Sequence, residues 1–266
     1  MFSQPVRSRA AYRTHADPGF RCNQSGFRVV LVVSTAAGVR TERGAKDKPS
    51  SPAIAPFTGA DVQRIAALPA VQQVEEVRKE LVRRNPGFDG KVEHKIEDGV
   101  VTEIKVVTDK VKDVAPIRVW SALRVLHLYA TNVGDAGLAD LKDCKELTEL
   151  WLGGLTKVSD AGLAHFKDCK NLTDLHVEAT QVGDAGLAQF KGMRLMELNI
   201  ANTAITDLTP LQGMPLEHVR LTPKNITRGL DILRDMKSLK TIGITWNQAW
   251  PAAEFWERFG KGEFKE

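Results

Sequence analysis

The chain has 266 residues, 42% of them hydrophobic and 26% charged, with a formal net charge of +4. That length admits one medium domain with additional segments, and the composition is that of an ordinary globular protein, which excludes fibrous and low-complexity classes. The positive charge is local: residues 1–56 hold nine Lys/Arg against three Asp/Glu and the remainder holds 28 against 30, so no basic stripe is available for nucleic acid.

Residues 9–33 read RAAYRTHADPGFRCNQSGFRVVLVV. Arg9, Ala11, Arg13, Pro18, Gly26, Phe27 and Arg28 follow the order R-x-A-x-R, a Pro-containing loop, G-F-R and a hydrophobic strand. In this the segment resembles the C-terminal end of the formylglycine-generating (sulfatase-modifying) enzyme family. The family's reactive cysteine pair lies upstream of that tail, and only eight residues precede Arg9. Neither copper coordination nor thiol oxidation therefore carries over to any residue, Cys22 included. Residues 1–33 are expected to be a truncated stub, with Met1 an internal start or the chain a gene fragment. Residues 34–57, rich in Pro, Ser, Ala and charge, are expected to be a disordered linker. The longest purely apolar run, Val29 to Val33, is too short for a membrane span, and the polar first 26 positions argue against a secretory signal.

Residues 58–100 are expected to form a terminal cap. From Asp61, the positions Val62, Ile65, Ala66, Val71, Val74, Val77 and Leu81 fall at helical spacing, with Pro69 separating two helices and Asn85-Pro86-Gly87 ending the second. Two alternating strands follow around Asp98-Gly99, a hairpin turn signal.

From residue 101 one phrase recurs: L-x-x-L-x-L, then D-A-G-L in the best copies. Copies start at Val101, Leu123, Leu147, Leu172, Leu195, Leu216 and Leu239, at intervals of 22, 24, 25, 23, 21 and 23 residues. A fixed period of this size marks a solenoid, in which each unit packs only on its neighbours. Within LTELWL, Leu147, Leu150 and Leu152 point inward from a short strand and Thr148, Glu149 and Trp151 point outward. An aspartate follows in five copies (Asp113, Asp135, Asp160, Asp184 and Asp207), where it is expected to cap a short helix. Gly137, Gly162 and Gly186 are expected to let that helix pack closely. Pro116 and Pro210 predict a single tight turn in their copies, and Arg228 replaces the aspartate in another. Cys144 and Cys169, 25 residues apart, are expected on adjacent turns of the convex side as partly buried small hydrophobes. Phe255, Trp256 and Phe259 are expected on a short helix covering the last repeat.

These repeats resemble the bacterial leucine-rich-repeat family with the T-x-V-T-D-A-G-L signature. The resemblance implies an α/β leucine-rich-repeat solenoid over residues 101–266, with a parallel concave sheet and a short C-terminal helical cap. It implies almost nothing about the ligand.

Function therefore has to be sought between the leucines. The third strand position reads Glu103, Val125, Glu149, Asp174, Glu197, His218 and Thr241. The fifth reads Lys105, His127, Trp151, His176, Asn199, Arg220 and Gly243, and Tyr129 stands at the seventh. An acidic run beside an aromatic and imidazole run suits a protein partner carrying basic groups. The candidate partner-binding residues are His127, Tyr129, Glu149, Trp151, Asp174, His176 and Glu197. Three ligands from His176, Asp174 and Glu149 could meet on two strands, but no ligand spacing is diagnostic, so neither metal nor cofactor is assigned. Catalysis by paired carboxylates is disfavoured on an open face that excludes little water. The expectation is a non-catalytic, monomeric, cytoplasmic docking module of a larger bacterial multidomain protein, binding neither nucleic acid nor membrane. The alternative is the C-terminal part of a formylglycine-generating-like or protein-kinase-fused enzyme whose catalytic domain lies outside this chain.

Overall fold

A strand three residues long can persist only if both neighbours hold it, and the repeats supply that by stacking in chain order. A computed structural model, which describes residues 54–264, places nine strands in one sheet in sequence order. They are β1 (Glu93–Glu97), β2 (Val100–Lys105), β3 (Val125–His127), β4 (Glu149–Trp151), β5 (Asp174–His176), β6 (Glu197–Asn199), β7 (His218–Arg220), β8 (Thr241–Thr245) and β9 (Gln248–Pro251). Strands β2 to β8 are parallel, and an antiparallel hairpin partner closes each end, β1 on β2 and β9 on β8. The expected stub (1–33) and the expected linker through residue 53 lie outside the described residues.

Register follows the leucines. Ile104, Leu126, Leu150, Leu175, Leu198, Val219 and Ile242 align across the parallel strands and are all buried. One such residue per strand faces the core, and its two neighbours turn outward, as a period of two requires. The other core wall comes from Val133, Val158, Val182 and Ile205, and from Leu138, Leu163 and Leu187 on the short helices α3 (Asp135–Ala139), α4 (Asp160–Leu163) and α5 (Asp184–Ala188). The two proline copies make single 3-10 turns, Ala115–Val119 and Thr209–Leu211. A sixth helix, α6 (Leu230–Asp235), starts after Gly229, whose φ of 81° brings it against the backbone of Leu208 and Thr209.

At the N-terminal end, α1 (Gly59–Ala66) begins with a reciprocal capping box between Thr58 and Asp61, and α2 (Ala70–Arg84) follows Pro69. Asn85 then ties α2 to the first repeat. Its buried amide donates to the carbonyls of Leu81 and Asp113 (2.9 and 2.8 Å), and its Oδ1 accepts from the amides of Lys112 and Asp113 (both 2.9 Å). At the other end α7 (Ala252–Gly260) buries Phe255, with Phe264 stacked on it at 4.8 Å and Trp256 and Phe259 half-buried beside it.

The repeat aspartates do something other than the expected capping. Asp135 Oδ1 accepts from the amide of Ser159 (2.8 Å) and its Oδ2 from the Ser159 hydroxyl (2.6 Å), one repeat onward. Asp160 accepts from the amide of Gly183 (2.7 Å). Asp184 accepts from the amides of Thr206 and Asp207 (2.7 and 2.9 Å) and from the Thr206 hydroxyl (2.8 Å). The aspartate is the first helical residue, so its carboxylate projects sideways onto the next repeat. The N-cap is the residue before it, and only Ser159 bonds the helix, accepting from Ala161. Burial would raise the Asp184 carboxyl, but the donors of Thr206 and Asp207 outweigh it and hold it below the usual range. Only in the two proline copies does the aspartate cap its own turn: Asp113 accepts from Ala115 (3.0 Å) and Asp207 from Thr209 (2.8 Å).

This ladder explains the glycine two residues after the aspartate. A Cβ on Gly162 would overlap the Asp135 carboxylate, and one on Gly186 would come within 2.5 Å of Asp160. Because Ser159 already holds the Asp135 carboxylate, the carboxylate cannot swing away without losing two hydrogen bonds. Gly162→Ala is expected to destabilise the fold by about 1–3 kcal/mol. Gly59→Ala, with nothing within 4 Å, is the control and should be neutral or slightly stabilising. Urea denaturation of the two variants checks this; equal midpoints would remove the explanation.

Cys144 and Cys169 are free and buried more completely than expected. Their thiols donate to backbone carbonyls one repeat back, Cys144 to Trp120 (3.7 Å) and Cys169 to Cys144 (3.3 Å). Burial pushes them up to about 12 and about 11, which leaves them unreactive.

Candidate functional site on the open face

Strand alternation delivers two parallel columns to the outer face of the sheet. In one, Glu149 on β4, Asp174 on β5 and Glu197 on β6 stand in register; in the other, His127, Trp151 and His176 do the same. Strands about 4.8 Å apart bring flat side chains of one column close to stacking distance. The rings respond accordingly: Trp151 lies 3.7 Å from His176, nearly parallel at 12°, and 4.6 Å from His127 at 35°.

Trp151 is thus not the exposed anchor that its central position suggests. Neighbouring imidazoles flank it on both sides, and Trp246 lies parallel to both it and His176, with centroids 5.5 Å away. Trp246 comes from the turn between β8 and β9, outside the repeat frame. Its indole N–H donates to Glu178 Oε1 (3.3 Å), and the Arg220 guanidinium sits 4.4 Å over its ring. Glu178 reaches this position by crossing Gly153, where any Cβ would collide with its carboxylate.

Electrostatically the columns differ. Burial, reinforced by Lys105, lowers His127 to about 4 against a weaker opposing pull from Glu93. Burial, with Arg220 and His127 adding to it, lowers His176 to about 3. Both rings are therefore neutral at pH 7. His127 Nε2 lies 3.9 Å from Glu149 and His176 Nε2 3.8 Å from Glu197. At those lengths, with neutral rings, neither contact is a hydrogen bond or an ion pair. Burial raises Glu149, and the charge of Asp174 adds to it; burial raises Asp174 too, with the Thr173 hydroxyl opposing. Among the described residues neither carboxylate has a lysine or arginine within 4.0 Å. Glu197 does, since Arg220 Nη1 donates to it at 2.6 Å.

Polar atoms left without partners concentrate here. His127 Nε2, Trp151 Nε1, both nitrogens of His176, Glu178 Oε2 and Arg220 Nε are buried and make no hydrogen bond, against three such atoms elsewhere in the described residues. Buried polar groups are normally satisfied, so this density marks the face as built for something besides stability. Tyr129 stands at the margin, half-buried, and helps line an open depression of about 400 Å³ with Lys105, Val107, His127, Trp151 and Trp246.

The structure therefore brings together six of the residues expected from the sequence, with Tyr129 beside them. It adds Glu178, Arg220 and Trp246. Arg220 was visible in the fifth-position column and Glu178 stands at the seventh position of its copy, but neither carried a distinguishing pattern. Trp246 had no positional signal at all, because it reaches the face from a hairpin turn.

No family model and no curated protein matches the chain. Among solved structures it is similar to an internalin (InlF) from Listeria monocytogenes, with 21% identity and a TM-score of 0.47, covering 68% of this chain and 53% of that one. It is also similar to internalin C2 from the same organism, with 16% identity and a TM-score of 0.40, covering 67% of this chain and 98% of that one. The chain thus spans about half the length of the first. The repeat-solenoid fold rests on the strand register and burial described above. No described helix is long and apolar enough to cross a membrane.

Proposed function

We propose that this chain is a non-catalytic docking module that holds an extended, basic segment of a protein partner against its open face. The observation that carries the reading is the pair Glu149 and Asp174. They stand in register on adjacent strands, half-buried, and no cation of the described residues neutralises them. Two like charges held this way are relieved by an incoming lysine or arginine, a gain available only on binding. Lys105 at the rim of the 400 Å³ depression repels the same groups, so the basic segment runs along the carboxylate column and places apolar side chains beside Tyr129 and Trp246. His127, Trp151 and His176 form the wall behind it, and Glu197, already held by Arg220, marks its far end. The setting belongs to the same proposal: a monomeric cytoplasmic scaffold tethering its partner to other domains of a longer polypeptide.

Two labelled peptides of equal apolar content, one carrying Lys and Arg and one carrying Glu, test the reading by fluorescence anisotropy. The basic peptide should bind, more weakly as salt rises, and the acidic one should not. Glu149→Gln with Asp174→Asn should weaken the basic peptide at least about tenfold. Equal binding of the two peptides, binding of neither, or an unaffected double variant would overturn it.

A further inference from the structure

We infer that the same face holds a binding site for one divalent transition-metal ion, built from Asp174, His176 and Glu197. One ligand atom from each of these residues lies within 4.8 Å of the other two. That set differs from the Asp174, His176 and Glu149 combination suggested by the columns, because the His176 ring turns its Nε2 toward Glu197 on β6.

The cluster is more than neighbouring acids. His176 is fully buried, 0% exposed, and neither ring nitrogen has a hydrogen-bond partner. Stacking against Trp151 at 3.7 Å fixes the ring plane and leaves only its edge available. That edge meets Glu197 Oε1 at 3.8 Å, too far for a hydrogen bond and too close for a water between them. A zinc ion about 2.0–2.1 Å from the nitrogen and 2.0–2.2 Å from the oxygen spans such a gap at an angle of about 130°. Asp174, whose carboxylate oxygen lies within 4.8 Å of both other ligand atoms, closes on the ion by a small rotation of its half-exposed side chain.

Arg220 is the group that argues against a cation, since its guanidinium donates to Glu197 Oε1 at 2.6 Å. Two carboxylates outweigh its charge, and Glu149 stands one strand away as a third. Ligating carboxylates ordinarily accept a hydrogen bond from an outer partner, and Arg220, pinned over Trp246 at 4.4 Å, is placed to be that partner. One imidazole with two carboxylates favours zinc-like ions over calcium or magnesium, which require more oxygen ligands. With three protein ligands the ion would keep a position open to solvent. The inference does not depend on the docking reading, although both use Asp174.

Titration of the full chain with zinc chloride by calorimetry, and with cobalt(II) followed by its visible d–d bands, tests the site. One saturable equivalent with four-coordinate cobalt bands is expected. Asp174→Asn and His176→Gln should each weaken zinc at least about a hundredfold, whereas His165→Gln, on the short helical turn far from the sheet, should not. Asp174→Asn keeps the test decisive if His176→Gln fails to fold. Absence of saturable binding, or zinc affinity unchanged in Asp174→Asn, overturns the site. Because Glu149→Gln removes a docking carboxylate and no zinc ligand, loss of peptide binding with intact zinc binding in that variant separates the two readings.

Discussion

Asp184→Ala is expected to destabilise the chain by about 2–4 kcal/mol, more than any other single aspartate of the repeats. The carboxylate accepts three hydrogen bonds from the following repeat, two of them from backbone amides. Removing it takes the acceptor from all three donors at a part-buried junction. Asp207→Ala, whose carboxylate caps only its own turn and pairs with the exposed Arg228 at 3.3 Å, should cost less than about 1 kcal/mol. Asp184→Asn keeps one acceptor oxygen and should fall between them. Urea denaturation of the three variants measures the order. If Asp184→Ala and Asp207→Ala prove equal, the contacts between repeats are no stronger than a local cap.

Acidification should weaken the fold steeply between about pH 6.5 and pH 4. His127 and His176 have native values of about 4 and about 3, below the ordinary 6.5, so the unfolded chain takes up protons first as pH falls. Their contribution is fully present above pH 6.5 and diminishes on acidification by about 1.4 kcal/mol per pH unit for each ring. Lys105 and Arg220, the cations facing the rings, act in the same direction as burial, and Glu93 opposes them weakly. The carboxyls of Glu149, Asp174 and Glu178 are raised by burial, so the native state binds their protons first and recovers part of the loss at the acid end. The melting temperature followed from pH 7 to pH 4 in wild type and His176→Gln checks this. The variant should lose about one proton of linkage; an unchanged slope would mean that His176 is not held neutral in the folded state.

Much of this architecture is legible because two periods reinforce each other. A strand alternates every second residue, and the leucine phrase returns every 21 to 25, so aligning the leucines aligns the outward columns with them. That is why Glu149, Asp174 and Glu197 could be placed side by side from sequence. The stacking of Trp151 on both sides was not legible, because it depends on how far the flanking imidazoles lean and on an indole arriving from the β8–β9 turn. The aspartates misled for a related reason. An N-terminal helical carboxylate reads as a local cap, and nothing in its own repeat reveals that the next one supplies better donors. Ala130 and Ala179 were equally silent. They hold φ of 54° and 55° three residues after their strands end, where Gly154 and Asn202 occupy the same place with residues that announce a left-handed turn.

The aspartate ladder also sets how the solenoid yields to force. Tension applied across the stack loads the junctions between repeats in series, so the weakest one opens first and the others relax. Asp135, Asp160 and Asp184 clasp three consecutive junctions; at the next one Asp207 caps its own turn, and the amides of Thr227 and Arg228 donate to the Thr206 carbonyl instead (2.9 and 3.2 Å). The carboxylate clasps therefore reinforce the middle of the stack, from β3 to β6. Glu149 on β4 and Asp174 on β5 stand inside that stretch, so the carboxylates of the open face sit on the part of the stack that the clasps hold against tension.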